Sequence, residues 1–377
     1  MYIIAFIPLI FTLFIFKSRL IQFLLLIYIY PILITLNIYF TNNTSRIIKN
    51  TGKIFYEKYF EEALYLQLIG YLIILLVLFK NRKKIFFVKR IYLKNNIRLL
   101  LSFLLIIAYL LAYPSVFLLS DNRFGVGGSL IIVFNTLLLL SKEDKIKTAD
   151  IIFLLVNFFA FLSGERADTI SIMLIYFILK SKDNIIYERK INTLVIIGAF
   201  STVILLAMIA GINRMGGTPS FDYMLNQVSN QGTAIDVTHV YYSAIWYYHN
   251  IGTSISPIIN FLFSFIPFNS YGGATSIYNL TIILREHINN VGGGLFYSLG
   301  IIVGGPIGMM VLIYIYSKVI NFGFSHYNLL KTLFIALCIQ QFRLQWYGLN
   351  YMGNIITLII LLSAFYLLLK NIDYENI

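Results

Sequence analysis

Acidic side chains are scarce in this sequence: 16 Asp and Glu stand among 377 residues, against 29 Lys and Arg, and the charged types together make up 12%. So little charge excludes an ordinary soluble domain, in which about a quarter of the residues are charged. The lone cysteine, Cys338, lies in an apolar run, which excludes an internal disulfide and a multi-cysteine metal site. Of the four histidines no two stand at i, i+4, and no D-x-D pair occurs. The spacings that commonly hold a divalent ion are therefore missing, and no metal is expected.

What the chain has instead is apolar length. With 59% hydrophobic and 16% aromatic residues it reads as one membrane domain over 1–377, an all-α polytopic integral membrane protein. Apolar runs fall at 2–16, 20–40, 63–79, 99–119, 127–141, 151–163, 168–180, 192–212, 294–317, 332–347 and 352–369, which predicts about eleven transmembrane helices. The first run has no basic residue before it and Lys17 and Arg19 after it, the reverse of a cleavable signal peptide, so it is read as a retained helix entering from outside.

The net charge of +13 is distributed unevenly. Placing 17–19, 80–98, 141–150, 180–190, 318–331 and the C-terminus in the cytoplasm puts 20 of the 29 basic residues there with 7 of the 16 acids. The inner face then carries the whole net charge and the outer face is neutral, as the positive-inside rule requires. The basic loop 80–98 is accordingly a topology anchor beside anionic lipid, and no nucleic-acid partner is expected.

Between the sixth and seventh runs stands Gly164-Glu165-Arg166-Ala167-Asp168, with three charges in five residues. Lysines beyond both runs place their outer ends in the cytoplasm, which makes the pair a hairpin. Each arm is shorter than the roughly 20 residues a spanning helix needs, so the charged tip is expected below the outer surface, in a cavity. Charge at that depth is by default a functional-site hypothesis.

One outer segment is long, 213–293, and it is semi-apolar; Thr238 to Tyr248 and Ile258 to Phe268 are expected to form helices on or in the outer leaflet. Four arginines stand near the outer boundary: Arg166 at the hairpin tip, Arg214 after the eighth run, Arg285 late in the loop and Arg343 in the tenth run. The planar guanidinium donates in pairs and keeps its charge when partly desolvated, which suits phosphate. The alternative is snorkelling or an ion pair, the latter open to Arg166 with Glu165 or Asp168 and to Arg285 with Glu286. Arg214 and Arg343 have no acid nearby in sequence, and Gln340, Gln341 and Gln345 flank the latter. His239, His249 and His287 are candidate general bases for a sugar hydroxyl, with Asp222, Asp236 and Glu286 as rivals. The run Tyr241 to His249, with Trp246 and Tyr247, offers flat faces with polar tips, read either as a sugar-binding surface or as an interfacial aromatic belt. Gly292-Gly293-Gly294, Gly300, Gly304-Gly305 and Gly308 open the ninth run, where small residues let helices approach one another.

Taken together, the many spans, the late outer loop, the Gly164-Glu165-Arg166 hairpin, Arg214 at the loop start and the run from Gly292-Gly293-Gly294 to Gly305-Pro306-Ile307-Gly308 resemble the bacterial O-antigen polymerases of the Wzy type. The resemblance implies a multi-pass protein of the bacterial inner membrane that joins undecaprenyl-diphosphate-linked oligosaccharides at the periplasmic face, without cofactor, in contact with membrane lipid and with a chain-length regulator protein as candidate partner. It implies a catalytic set from Arg166, Arg214, Arg343, Glu286 and His287, and substrate contacts from Arg285, His239, Asp222, Trp246 and Tyr247. Members of that family often carry Glu or His just after the loop, where this chain reads Leu295-Phe296-Tyr297; Glu286 and His287 are the nearest substitutes. An O-antigen ligase remains an alternative, as does a lipid-linked oligosaccharide flippase, although a flippase would show more spans and shorter loops.

Overall fold

The computed structural model describes residues 11–41, 52–84, 93–113, 125–141, 147–162, 166–179, 232–266, 276–290 and 292–375, and among these the chain is helical with no sheet. Helices α1 (Arg19–Thr41), α2 (Gly52–Phe79), α3 (Asn95–Ala112), α4 (Gly125–Leu140), α5 (Thr148–Leu162) and α6 (Arg166–Leu179) come first. Then follow α7 (Gly232–Asn250), α8 (Ser256–Phe263), α9 (Leu280–Arg285), α10 (Ser298–Ile320), α11 (Asn328–Ile339), α12 (Gln341–Tyr347) and α13 (Met352–Glu375). Among the described residues four helices are long and apolar enough to cross a membrane, over Arg19–Tyr39, Ile54–Phe79, Asn95–Ala112 and Ser298–Phe324; the apolar helices Gly128–Leu140, Thr148–Phe161, Leu329–Ile339 and Met352–Ala364 are shorter. These are the dimensions of a helical membrane protein. The expected span 192–212 and most of 2–16 lie outside the described residues.

Helix α2 begins eleven residues before the apolar run at 63 that predicts it. Its added turns are amphipathic: Tyr56, Tyr59, Phe60 and Ala63 are buried at helical spacing while Glu57, Lys58 and Glu61 are exposed. A hydropathy window averages the two faces and misses the extension. The buried face packs on α7, which also touches α1 and α10.

That packing fixes the surroundings of α7. Residues 234–245 are buried except for Asp236, so the helix is enclosed by its neighbours α1, α2 and α10 and presents no open face along this stretch. Three of its polar groups are tolerated there because they bond within the protein: Thr238 Oγ1 donates to Ala234 O at 2.9 Å, Ser243 Oγ to His239 O at 2.9 Å, and Tyr241 Oη to Ala63 O at 2.8 Å. Helix α8 starts with Pro257 in its first turn, where the missing N–H costs nothing. It packs on α10 and α13.

The ninth apolar run is not one straight helix. Gly304 (φ −151°, ψ 24°) and Gly305 (φ 61°, ψ −151°) leave helical geometry, and Pro306 restarts it. The Gly305 pair of angles is accessible only to glycine. A Cβ on Gly300 would stand 2.7 Å from Gly308 O, and one on Gly308 would meet Gly300 O. Residues eight apart in a straight helix are about 12 Å apart, so the first half folds back on the second. The close packing expected of these glycines thus joins two halves of one segment at Gly300 and Gly308, and at Gly305, where a Cβ would stand 2.5 Å from the Tyr248 ring, it brings the segment against α7.

A second group of helices, α3, α4, α5 and α6, adjoins the first through α11 and α12. The rings of Phe153, early in α5, and Tyr176, late in α6, stand 5.7 Å apart, which makes the pair an antiparallel hairpin; residues 163–165 at its tip lie outside the described residues. Arg98, counted with the loop 80–98, proves to be a buried helical residue. Its Nη2 donates to Asp150 Oδ1 at 2.7 Å and its Nε to Ser141 Oγ at 2.9 Å, tying the start of α3 to the end of α4 and the start of α5. The ends of α1, α2 and α10 that the charge count assigns to one side also meet, through Lys17 N to Arg82 O at 2.9 Å and Asn81 Nδ2 to Asn321 Oδ1 at 3.0 Å.

Candidate functional site

The site is built on the end of the long outer segment and on α12. Helix α9 opens with Asn279, whose side chain accepts from Thr281 N at 2.9 Å, and closes at Arg285. There Arg285 Nε donates to Asn290 O at 3.0 Å, and Asn290 Nδ2 reaches back to Thr281 O at 3.2 Å. Arg285 therefore closes its own loop. Next come Gly292, Gly293 and Gly294, all at positive φ (96°, 83° and 140°). A Cβ on Gly293 would stand 2.5 Å from Trp346 O, and Gly294 N donates to that same carbonyl at 2.9 Å. The triple glycine is thus a fixed turn that docks the outer segment onto the end of α12, rather than a free hinge.

Above this turn the exposed ring of His287 lies 6.0 Å from Trp246 and 5.6 Å from Tyr247 by centroids. Three residues nominated from sequence are brought together here, with Glu286 exposed beside them. Arg343, on α12, donates from Nη2 to Tyr113 Oη at 2.8 Å, bridging to the end of α3. Its neighbour Trp346 stacks on Tyr30 at 5.5 Å and meets Phe342 at 5.8 Å, fixing α12 against α1. Helix α6, whose first residue is Arg166, packs against α12 as well. The Arg166 side chain, Arg214 and Asp222 lie outside the described residues.

His239 is turned inward, which corrects its nomination as a substrate contact. It is 1% exposed; Nε2 faces Asn289 O at 3.2 Å and Nδ1 faces Tyr56 Oη at 2.6 Å. A carbonyl only accepts, so Nε2 carries the proton and Nδ1 accepts from the phenol. Both nitrogens are engaged within the protein. Burial pushes its pKa down to about 4, against a smaller opposing effect of the Asn289 hydrogen bond, so the ring is neutral at ordinary pH. Exposed His249 meets Glu62 Oε2 at 2.7 Å and stacks on Tyr59 at 6.1 Å, latching α7 to the extension of α2. Tyr241 and Tyr242 are fully buried and form no surface for a sugar; of the aromatic run, Trp246 and Tyr248 reach the partly exposed edge.

Sequence reasoning missed Tyr56, the Arg98–Asp150 pair and a polar chain in which Tyr109 Oη donates to Asn157 Oδ1 at 2.7 Å and Asn157 Nδ2 to Asn135 Oδ1 at 2.8 Å. A signal for Arg98 was present. It stands in the first turn of its helix, where the dipole disfavours a cation, so a buried acid should be sought for it. Among the described residues no group of three or more His, Cys, Asp or Glu is placed to hold a metal. No family model, curated protein or solved structure matches the chain.

Proposed function

We propose that the protein is a glycosyltransferase of the O-antigen polymerase type, joining undecaprenyl-diphosphate-linked oligosaccharide units at the periplasmic face of a bacterial inner membrane. In this reading the chain crosses about eleven times, and 213–293 faces the periplasm. The observation that carries the proposal is the junction of Gly294 with Trp346, which seats the Trp246, Tyr247 and His287 cluster over the helix that bears Arg343. The half-exposed Trp246 and exposed His287, backed by buried Tyr247, suit a sugar face, and an arginine at membrane depth suits a lipid diphosphate.

In the proposed reaction a hydroxyl of one lipid-linked unit attacks the anomeric carbon of the chain on a second lipid. The carbon–oxygen bond to diphosphate breaks and the hydroxyl proton passes to a base, for which exposed His287 is the best placed of the nominated histidines and Glu286 its neighbour. Negative charge grows on the departing diphosphate, where a positioned guanidinium stabilises the transition state more than the ground state. Arg343 takes that role, with Arg166 and Arg214 proposed to join it.

The test is deletion of the gene followed by a polysaccharide gel, then complementation. Deletion should leave one repeat unit on the lipid core. Loss of that single unit as well would mean a ligase or a flippase. Complementation with Arg343→Lys, which keeps the charge but loses the two-pronged geometry, should lower polymer synthesis about a hundred- to thousandfold at normal protein levels. Full-length polymer from that variant would refute the arginine's role.

A further inference from the structure

On the face of α12 turned away from Arg343 stand Gln341 and Gln345, one turn apart and both fully buried. Both atoms of the Gln345 amide lack a hydrogen-bond partner within the protein, as does the hydroxyl of Tyr28, which is 1% exposed; the Gln341 amide has the Tyr316 phenol, itself 5% exposed, beside it. These groups share one region. Phe296 stands 4.7 Å from Tyr316 and 6.4 Å from Tyr28 by ring centroids, and the Tyr316 phenol lies beside Gln341. Buried polar groups in native proteins are hydrogen-bonded almost without exception, and leaving several such atoms unmet would cost a sizeable share of the net stability of a domain.

We infer that Gln341, Gln345, Tyr28 and Tyr316 form a binding site for neutral hydroxyl groups, and that its ligand is a sugar ring of the lipid-linked oligosaccharide. Amides and phenols both donate and accept, as sugar hydroxyls do, and none of the four side chains is charged. Phe296 and Tyr297 supply flat apolar walls of the kind a sugar face needs. Gln345 immediately precedes Trp346, on whose carbonyl the Gly292 to Gly294 turn is docked, so one end of the group is tied to the outer segment. The inference rests on the transferase reading and extends it from the diphosphate to the sugar.

Purified full-length protein in detergent would be titrated with two probes, and thermal unfolding recorded. One probe is the oligosaccharide lipid extracted from a strain lacking this gene; the other is undecaprenyl diphosphate without sugar. Wild type should be stabilised by both and bind the oligosaccharide lipid more tightly. Gln341→Met and Gln345→Met should unfold at an equal or higher temperature without ligand, because a buried amide is exchanged for an apolar group of similar size. They should respond normally to undecaprenyl diphosphate and lose at least about tenfold in affinity for the oligosaccharide lipid. Tyr316→Phe, which removes one hydroxyl and keeps the ring, should weaken the same binding and decides the matter if a glutamine variant does not fold. Variants that retain the full preference for the oligosaccharide lipid would show that these amides meet only internal water, overturning the inference while leaving the transferase reading intact. No response of wild type to either probe would overturn both.

Discussion

Removing one partner of the Arg98–Asp150 pair should destabilise the protein far more than removing both. The two atoms stand 2.7 Å apart with side chains 2% and 11% exposed, so neither charge has enough water to replace its partner. Breaking such a pair costs about 3 to 5 kcal/mol, because the remaining ion is left buried, whereas an apolar pair of similar volume is often neutral or stabilising. The two single variants are not equivalent. Asp150 also accepts Lys147 N at 3.1 Å, and a stranded carboxylate can shed its charge by binding a proton, so Arg98→Met should cost about 3 kcal/mol. The guanidinium cannot be deprotonated, so Asp150→Leu should cost about 5 kcal/mol. The double variant should fall within about 2 kcal/mol of wild type, a coupling of several kcal/mol. Equilibrium unfolding of the four purified proteins in one detergent measures this cycle. If the costs of the single variants simply add in the double variant, the ion pair does not hold α3, α4 and α5 together, and its burial has been misread.

Three further outcomes follow from other parts of the fold. Gly293→Ala should lose about 2 to 4 kcal/mol, from a positive φ and from the methyl driven against Trp346 O, while Gly128→Ala, whose methyl meets nothing nearer than 3.9 Å, should leave stability unchanged or raised; equal losses would refute the docking role of the turn. His239 binds a proton near pH 4 when folded but near 6.5 when unfolded, so its contribution is complete above about pH 6.5 and is lost as pH falls toward 4. About 2 kcal/mol should go between pH 6.5 and 5, and His239→Gln should flatten that slope; identical pH profiles would refute the assignment. With Cys338 replaced by Ala, cysteine at exposed Lys94 should react with an impermeant thiol reagent only from the cytoplasmic side and cysteine at exposed Glu286 only from outside; the reverse pattern would refute the proposed topology.

The sequence by itself determined the class of the protein and most helix positions, because apolar length and turn chemistry are local properties. The run at 20–40 became α1. The run at 294–317 reads as one span, and only the structure shows it leaving helical geometry at Gly304-Gly305 and restarting at Pro306. The glycines at 292–294 stand out in the sequence, but only the position of Trp346 O shows that the turn is docked rather than free. Burial was decided by the tertiary structure. Helix α7 and the first turns of α2 are too polar to read as interior, and they are interior because each covers the other: Tyr56 bonds to His239, and Tyr241 to Ala63. The same reciprocity pairs Arg98 with Asp150 across 52 residues and separates His239, sealed in the core, from His287, left exposed beside Trp246. Pairing across such distances depends on which helices lie side by side, and hydropathy, which scores each residue by its neighbours in sequence, carries no information on that.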